Sequence, residues 1–337
     1  MTDPLGRTAS LLVAPGKGIL AADESTATIG KRFAAVGVEC TEETRRAYRE
    51  LLITAPGIEE HISGVILYDE TIRQCATDGR RFPAVLAERG IMPGIKVDTG
   101  AKPLAGAPGE KVTEGLDGLR ARLAEYRELG ARFAKWRAVI EIGEGLPSAH
   151  CIAVNAQALA RYAALCEEAG VVPIVEPEVL MDGEHPIERC AEVTERVLRR
   201  VFAELADQRV PLEHLLLKAN MVLPGSACPE QAPPEEVAQA TLAVLRRTVP
   251  AAVPGIVFLS GGQSDEDATV HLHELNRRGA QPWALSFSYG RALQGAALVA
   301  WTDGQADMLA AQQALLRRAA CNGAALVGRH GRPQLQH

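Results

Sequence analysis

A chain of 337 residues is long enough for one large α/β barrel or two ordinary domains, and its 47% hydrophobic and 23% charged residues exclude a disordered chain or a membrane bundle. A net charge of −6 argues against a nucleic-acid surface while leaving room for a local basic pocket that takes an anionic metabolite. Seven cysteines, an odd number without paired short spacings, argue against a disulfide framework or a zinc site and read as free thiols in a reducing cytosol.

The first residues hold an apolar stretch of only about five positions, too short for the core of a signal peptide, and no later run reaches membrane-spanning length. A cytoplasmic protein without membrane or nucleic-acid partners is therefore expected. Short apolar runs then alternate with helical patterns. GILAAD (18–23), SGVILYD (63–69) and GIKVD (94–98) come first. Leu116, Leu119, Leu123, Tyr126 and Leu129 follow a three/four spacing that predicts a helix. FAKWRAVI (133–140) precedes a helix from Ala156 to Ala169 that Gly170 stops, and VVPIVEPE (171–178) precedes a helix over 185–208. LLLKANM (215–221) is followed by a helix over 234–248 opened by Pro233 and Pro234, and GIVFLSGG (255–262) by one over 265–279, before WALSFSYG (283–290). Eight continuous apolar runs fit parallel strands covered on both faces. No linker, repeat or low-complexity tract interrupts them. The pattern predicts a single-domain (β/α)8 TIM barrel over 1–337, with a short N-terminal extension and a mobile tail from about 323; a doubly wound open sheet is the competing architecture.

A barrel of this kind carries its chemistry at the C-terminal ends of its strands. Those ends hold Asp23 and Glu24, Asp69, Lys96 and Asp98, Lys135 and Arg137, Glu176 and Glu178, Lys218 and Asn220, then Ser260, Gly261 and Gly262, and finally Ser288, Gly290 and Arg291. Any one of these reads as a salt-bridged rim residue; together they point to a site. Lys135 and Lys218 lie in strongly apolar runs, so alternation can aim both into one lumen, where an ammonium is costly unless paired or neutralised. A desolvated lysine beside another cation loses part of its charge near neutral pH, and a neutral amine condenses with ketones. Glu176 and Glu178 flank Pro177 and join Asp23 as carboxylates able to move the protons such chemistry needs. LSGGQS and SYGRAL offer backbone N–H groups and an arginine where barrels commonly bind phosphate, although SGG alone reads as a plain glycine turn. Arg32, Lys96 and Arg137 can meet a second anionic group, which suits a bisphosphate.

GILAADEST, GIKVD, FAKWR, VEPE, LLLKANM, FLSGGQS and SYGRAL, in this order, closely resemble class I fructose-bisphosphate aldolase from about Gly16 to about Asn322. LDGL, PIVEPE and LRRTVP extend the likeness into segments without obvious chemistry. The resemblance implies a metal-independent lyase of glycolysis and gluconeogenesis that needs no cofactor. Such an enzyme reversibly cleaves fructose 1,6-bisphosphate to dihydroxyacetone phosphate and glyceraldehyde 3-phosphate through a lysine imine, often as a homo-tetramer. Carried across by motif, Lys218 is the Schiff-base lysine, Glu176 the acid/base and Glu178 its supporting carboxylate. Lys135 is a cation close to the imine nitrogen that assists proton movements, and Asp23 orients hydroxyls and helps break the bond between the third and fourth carbons. Arg32, Lys96 and Arg137 are substrate contacts, while Ser260, Gly261, Gly262, Ser288, Gly290 and Arg291 hold phosphate.

Two departures stand out. Ala219 occupies a position where that family commonly has proline, a change of strand-end stiffness more than of chemistry. The chain ends GRPQLQH with no tyrosine after Tyr289, whereas well-studied members end in a tyrosine that assists proton exchange on the enamine. His330 or His337 could substitute, but a disordered tail is the simpler reading. The choice among fructose 1,6-bisphosphate, fructose 1-phosphate and sedoheptulose 1,7-bisphosphate stays open at this point. Two rivals are a metal-dependent aldolase and an aldolase-like scaffold that binds partners without turnover. His271 and His273 are the one close histidine pair, and their alternating spacing on a helix predicts two solvent-exposed side chains that share no face.

Overall fold

The computed structural model describes residues 3–302 and 307–327. In chain order its elements are α1 (Pro4–Leu12), β1 (Gly18–Ala22), α2 (Thr26–Ala35), α3 (Glu42–Thr54), β2 (Ile62–Leu67), α4 (Asp69–Arg73), α5 (Phe82–Glu88), β3 (Met92–Lys96), β4 (Gly100–Pro103), β5 (Lys111–Glu114), α6 (Leu119–Glu128), β6 (Phe133–Ile140), α7 (Ala149–Ala169), β7 (Val172–Val179), α8 (Ile187–Asp207), β8 (Leu216–Ala219), α9 (Pro234–Thr248), β9 (Gly255–Phe258), α10 (Asp265–Arg277), β10 (Ala284–Tyr289), α11 (Arg291–Thr302) and α12 (Met308–Leu326). Eight strands close on themselves in the order β1-β10-β9-β8-β7-β6-β3-β2, and each neighbouring pair is parallel. Each of the eight apolar runs supplies one strand. Closure removes the open-sheet alternative: the chain is a (β/α)8 TIM barrel.

Helix α1 seals the end of the barrel where the strands begin. Asp3 caps it by accepting from the N–H groups of Leu5 and Gly6, with proline in the first turn. Its Ala9 and Leu12 pack with Ile19, Phe133, Val172, Leu216 and Val257 in one buried cluster. Small residues make room for this plug. A Cβ at Gly94 would lie 2.2 Å from Phe133 Cζ, and one at Gly64 would lie 2.7 Å from Leu12 Cδ2. The opposite end, where the strands stop, is left to polar groups.

Several boundaries differ from those the sequence predicts. Helix α7 begins at Ala149, a full two turns before Ala156, because Ser148 caps it by accepting from the Cys151 N–H. β4 and β5 form an antiparallel hairpin inserted after β3, which the sequence pattern did not reveal. The tail boundary expected near 323 falls inside α12, which runs to Leu326 and buries Asn322, Gly323 and Ala325. His330 and His337 lie outside the described residues. No helix among the described residues is long and apolar enough to cross a membrane.

Candidate active site

Strand alternation decides which side chains reach the lumen. In β6, Lys135 and Arg137 point one way while Trp136, fully buried, points to the helices and packs against Tyr162 at 5.6 Å. On β7 the same alternation places Glu176 and Glu178 on one side of Pro177. The register sets Arg137 beside Glu176 and Lys96 beside Lys135, so cations and carboxylates interleave around the rim. Together they line a cleft of about 430 Å³ at the C-terminal ends of the strands.

At its floor lies a chain of four charges. Lys218 Nζ is 3.0 Å from Glu176 Oε1, Lys135 Nζ is 3.1 Å from Glu176 Oε2, and Lys135 Nζ is 2.8 Å from Asp23 Oδ2. Lys135, Glu176 and Lys218 are 3%, 2% and 5% exposed, a degree of burial that unpaired charges would not survive. Burial pushes the Asp23 carboxyl up, but Lys135 and then Lys218 outweigh it and hold the group well below the usual carboxylate range. Glu176 is lowered for the same reasons. Burial alone would strip the proton from Lys135; Asp23 and Glu176 reverse that and raise its pKa. Crowding of cations therefore does not neutralise Lys135, because carboxylates stand between it and its neighbours.

Around this floor the other cations are each held by a partner. Asp98 accepts from Lys96 Nζ at 2.9 Å and from the backbone N–H groups of Gly100 and Arg137 at 3.2 Å each. Arg137 pairs with Glu178, and Arg32 with Glu24 at 2.5 Å. Arg291 pairs with Asp265 at 2.7 Å and donates to the carbonyls of Ser260 and Gln263. That ties the loop after β9 to the start of α11. Ser260, Gly261, Ser288 and Gly290 face the cleft beside it.

Of the fourteen positions singled out from the sequence, Gly262 is the one that does not line the cleft. It has φ +76°, and a Cβ there would sit 2.4 Å from Met181 Cβ, so the turn and its packing require glycine at this position. Gly262→Ala should cost about 2–4 kcal/mol of stability from left-handed strain and overpacking, read as a lower midpoint in urea with kinetics little changed. Conversely, Ser25, Thr28, Gly100 and Ala101 line the cleft and carried no assignment. Ser25 caps α2 by accepting from the Thr28 N–H, and the S-x-x-T spacing right after ADE was the available signal.

His271 corrects another expectation. It is buried, 7% exposed, with Nδ1 2.7 Å from Gln263 Oε1, so it braces the loop after β9 from beneath instead of facing solvent. Burial lowers its pKa. Among the described residues no group of three or more His, Cys, Asp or Glu side chains is arranged to hold a metal ion.

A family model described as fructose-bisphosphate aldolase class-I matches residues 4–337. The chain is 62% identical over 97% of its length to the "Probable fructose-bisphosphate aldolase class 1" of Xanthomonas campestris pv. campestris, covering 98% of that relative. It is 55% identical to the cytoplasmic isozyme of fructose-bisphosphate aldolase from Cicer arietinum, over 99% of this chain and 93% of that one. The solved fructose-bisphosphate aldolase of Plasmodium falciparum superposes with a TM-score of 0.95 at 48% identity, covering 97% of this chain and 95% of the other. A likeness this complete, in both sequence and fold, places the chain in the class-I fructose-bisphosphate aldolase family.

Proposed function

We propose that Lys218 carries the aldol cleavage of this family by forming an imine with the C2 ketone of fructose 1,6-bisphosphate. The observation that carries the reading is Glu176 Oε1 at 3.0 Å from Lys218 Nζ, on the floor of a cleft whose other charges are already paired. Glu176 accepts a proton from the Lys218 ammonium, and the freed amine attacks C2. The resulting carbinolamine loses its hydroxyl as water when Glu176 returns the proton. The protonated imine is then an electron sink. Asp23 takes the proton of the C4 hydroxyl, the C3–C4 bond breaks, and its electron pair moves into the imine to give an enamine while glyceraldehyde 3-phosphate departs. Protonation of the enamine at C3 and hydrolysis release dihydroxyacetone phosphate and restore the amine. Lys135 keeps its positive charge throughout, holding Asp23 and Glu176 in place. Glu178 steadies Arg137.

Phosphate binding is assigned to the two ends of the cleft. Ser260, Gly261, Ser288, Gly290 and Arg291 take one phosphate, and Arg32, Lys96 and Arg137 contact the far part of the sugar with its second phosphate. The cytoplasmic name of the Cicer arietinum relative supports a cytoplasmic setting. The assembly we propose is a homo-oligomer of four copies, which analytical ultracentrifugation measures directly.

Incubation with dihydroxyacetone phosphate followed by borohydride should leave a mass adduct on the peptide containing Lys218. An adduct on Lys96 or Lys135 instead would overturn the assignment. In enzyme not treated with borohydride, EDTA should leave the cleavage rate unchanged; loss on chelation with recovery on adding a divalent metal would refute the imine route.

A further inference from the structure

At the edge of the cleft sits an ion-pair cluster from which this reaction scheme uses Arg32 alone. Glu24, just past the end of β1, has a side chain only 6% exposed and meets two guanidinium groups. Arg32 Nη1 lies 2.5 Å from Oε1 and Arg49 Nη2 lies 2.8 Å from Oε2. Arg32 lines the cleft with a side chain 29% exposed. Arg49, on α3, is 2% exposed and lies outside the cleft lining. Gln294 completes the shell: its Nε2 donates to Glu24 Oε1 at 2.9 Å and to the Ala21 carbonyl at 2.6 Å, while its Oε1 accepts from the Tyr48 hydroxyl at 3.1 Å.

A guanidinium this deep is costly, and Arg49 spends little of its donor capacity on its surroundings. Its Nη2 donates to the Glu24 carboxylate and, at 3.3 Å, to the Glu24 carbonyl, whereas Nε and Nη1 have no hydrogen-bond partner among the described residues. A surface-type pair would need one arginine. Two on a single carboxylate leave a net positive cluster in which Arg32 is the guanidinium that reaches the cleft, beside Glu24 itself, while Arg49 stays behind.

We infer that Arg49 is a positioning residue that holds the charge of Glu24 from behind, so that Arg32 can leave that carboxylate for a phosphate of the substrate. Without Arg49, departure of Arg32 would leave a buried carboxylate facing a single neutral amide, a penalty that keeps Arg32 where it is. Arg49 itself never touches the sugar. The inference rests on the reading of Arg32 as a contact to the second phosphate, so that reading is tested alongside it.

Fructose 1,6-bisphosphate and fructose 1-phosphate are the probes. Arg49→Met should raise KM for the bisphosphate by about tenfold, the scale of one charge-assisted contact, with its kcat and both constants for fructose 1-phosphate unchanged. Arg49→Met combined with Glu24→Gln removes the charge that detains Arg32 and should bring KM for the bisphosphate back toward the parent value. An equal loss on both sugars, or a loss the double variant does not recover, would reduce Arg49 to packing and overturn the inference. Folding is checked by borohydride trapping of dihydroxyacetone phosphate to the parent extent. Should Arg49→Met not fold, Arg49→Lys decides by the same ratio, since a shorter-reaching cation should still raise KM for the bisphosphate alone by about threefold; an unchanged ratio counts against the inference. Arg32→Gln separates the two levels. If it leaves the bisphosphate preference intact, the reading of Arg32 fails; if it abolishes a preference that Arg49→Met retains, the inference alone fails.

Discussion

Lys218→Met should lower kcat for fructose 1,6-bisphosphate by roughly a millionfold, the scale on which loss of a nucleophile acts elsewhere, while the protein stays folded. Methionine matches the length of the lysine stem and suits a site 5% exposed at the end of an apolar strand. Removing one partner of a buried ion pair usually costs about 3–5 kcal/mol because the other is stranded. Here Glu176 keeps Lys135 at 3.1 Å, so the loss should be well under that range. The two effects separate cleanly in a cleavage assay run beside a thermal melt. Parent-level turnover in a folded Lys218→Met preparation would end the imine proposal, and the same variant should give no borohydride adduct with dihydroxyacetone phosphate.

Why the barrel could be read from the chain, and the pairing of charges could not, follows from range. A buried parallel strand needs apolar residues on both faces, so runs such as GILAAD and GIVF announce themselves locally. The β4–β5 hairpin has no such face: Ala101, Lys102 and Pro103 are exposed, and its sequence reads as loop. Lys135 and Lys218 could be placed in one lumen by alternation, yet nothing in FAKWR or LLLKANM says that Glu176 stands between them. That depends on β6, β7 and β8 lying side by side, a property of closure. Gly261 and Gly262 are indistinguishable as letters; one faces Glu178 across the cleft and the other faces Met181. His271 was legible after all, since Ala268, His271, Leu272 and Leu275 form one buried stripe on α10. Arg49 similarly sits among Tyr48, Leu51 and Leu52 on the buried face of α3, where a charged residue marks a specific demand.

Lys135→Met is the harsher substitution for the fold, and its effect should depend on pH. In the parent, Asp23 and Glu176 titrate below their unfolded values, so they contribute stability above about pH 4–5 that is lost as pH falls through their folded pKa values. Lys135 titrates above its unfolded value, so its contribution is present below about pH 10 and is lost as pH rises through the folded value. Between those limits these groups leave stability nearly flat. Removing the ammonium takes away the cation 2.8 Å from Asp23, and burial, the opposing influence, then pushes that carboxyl upward. An ionised Asp23 becomes a liability that protonation relieves. The variant should lose about 3–5 kcal/mol near pH 7–8, with the deficit narrowing toward pH 5, and its kcat should fall by roughly 10²–10⁴. Urea denaturation at pH 8, 6.5 and 5 tests the stability half: a deficit of the same size at all three would mean that Lys135 supports the site by packing, and that the charge chain along its floor is not what holds Asp23 ionised.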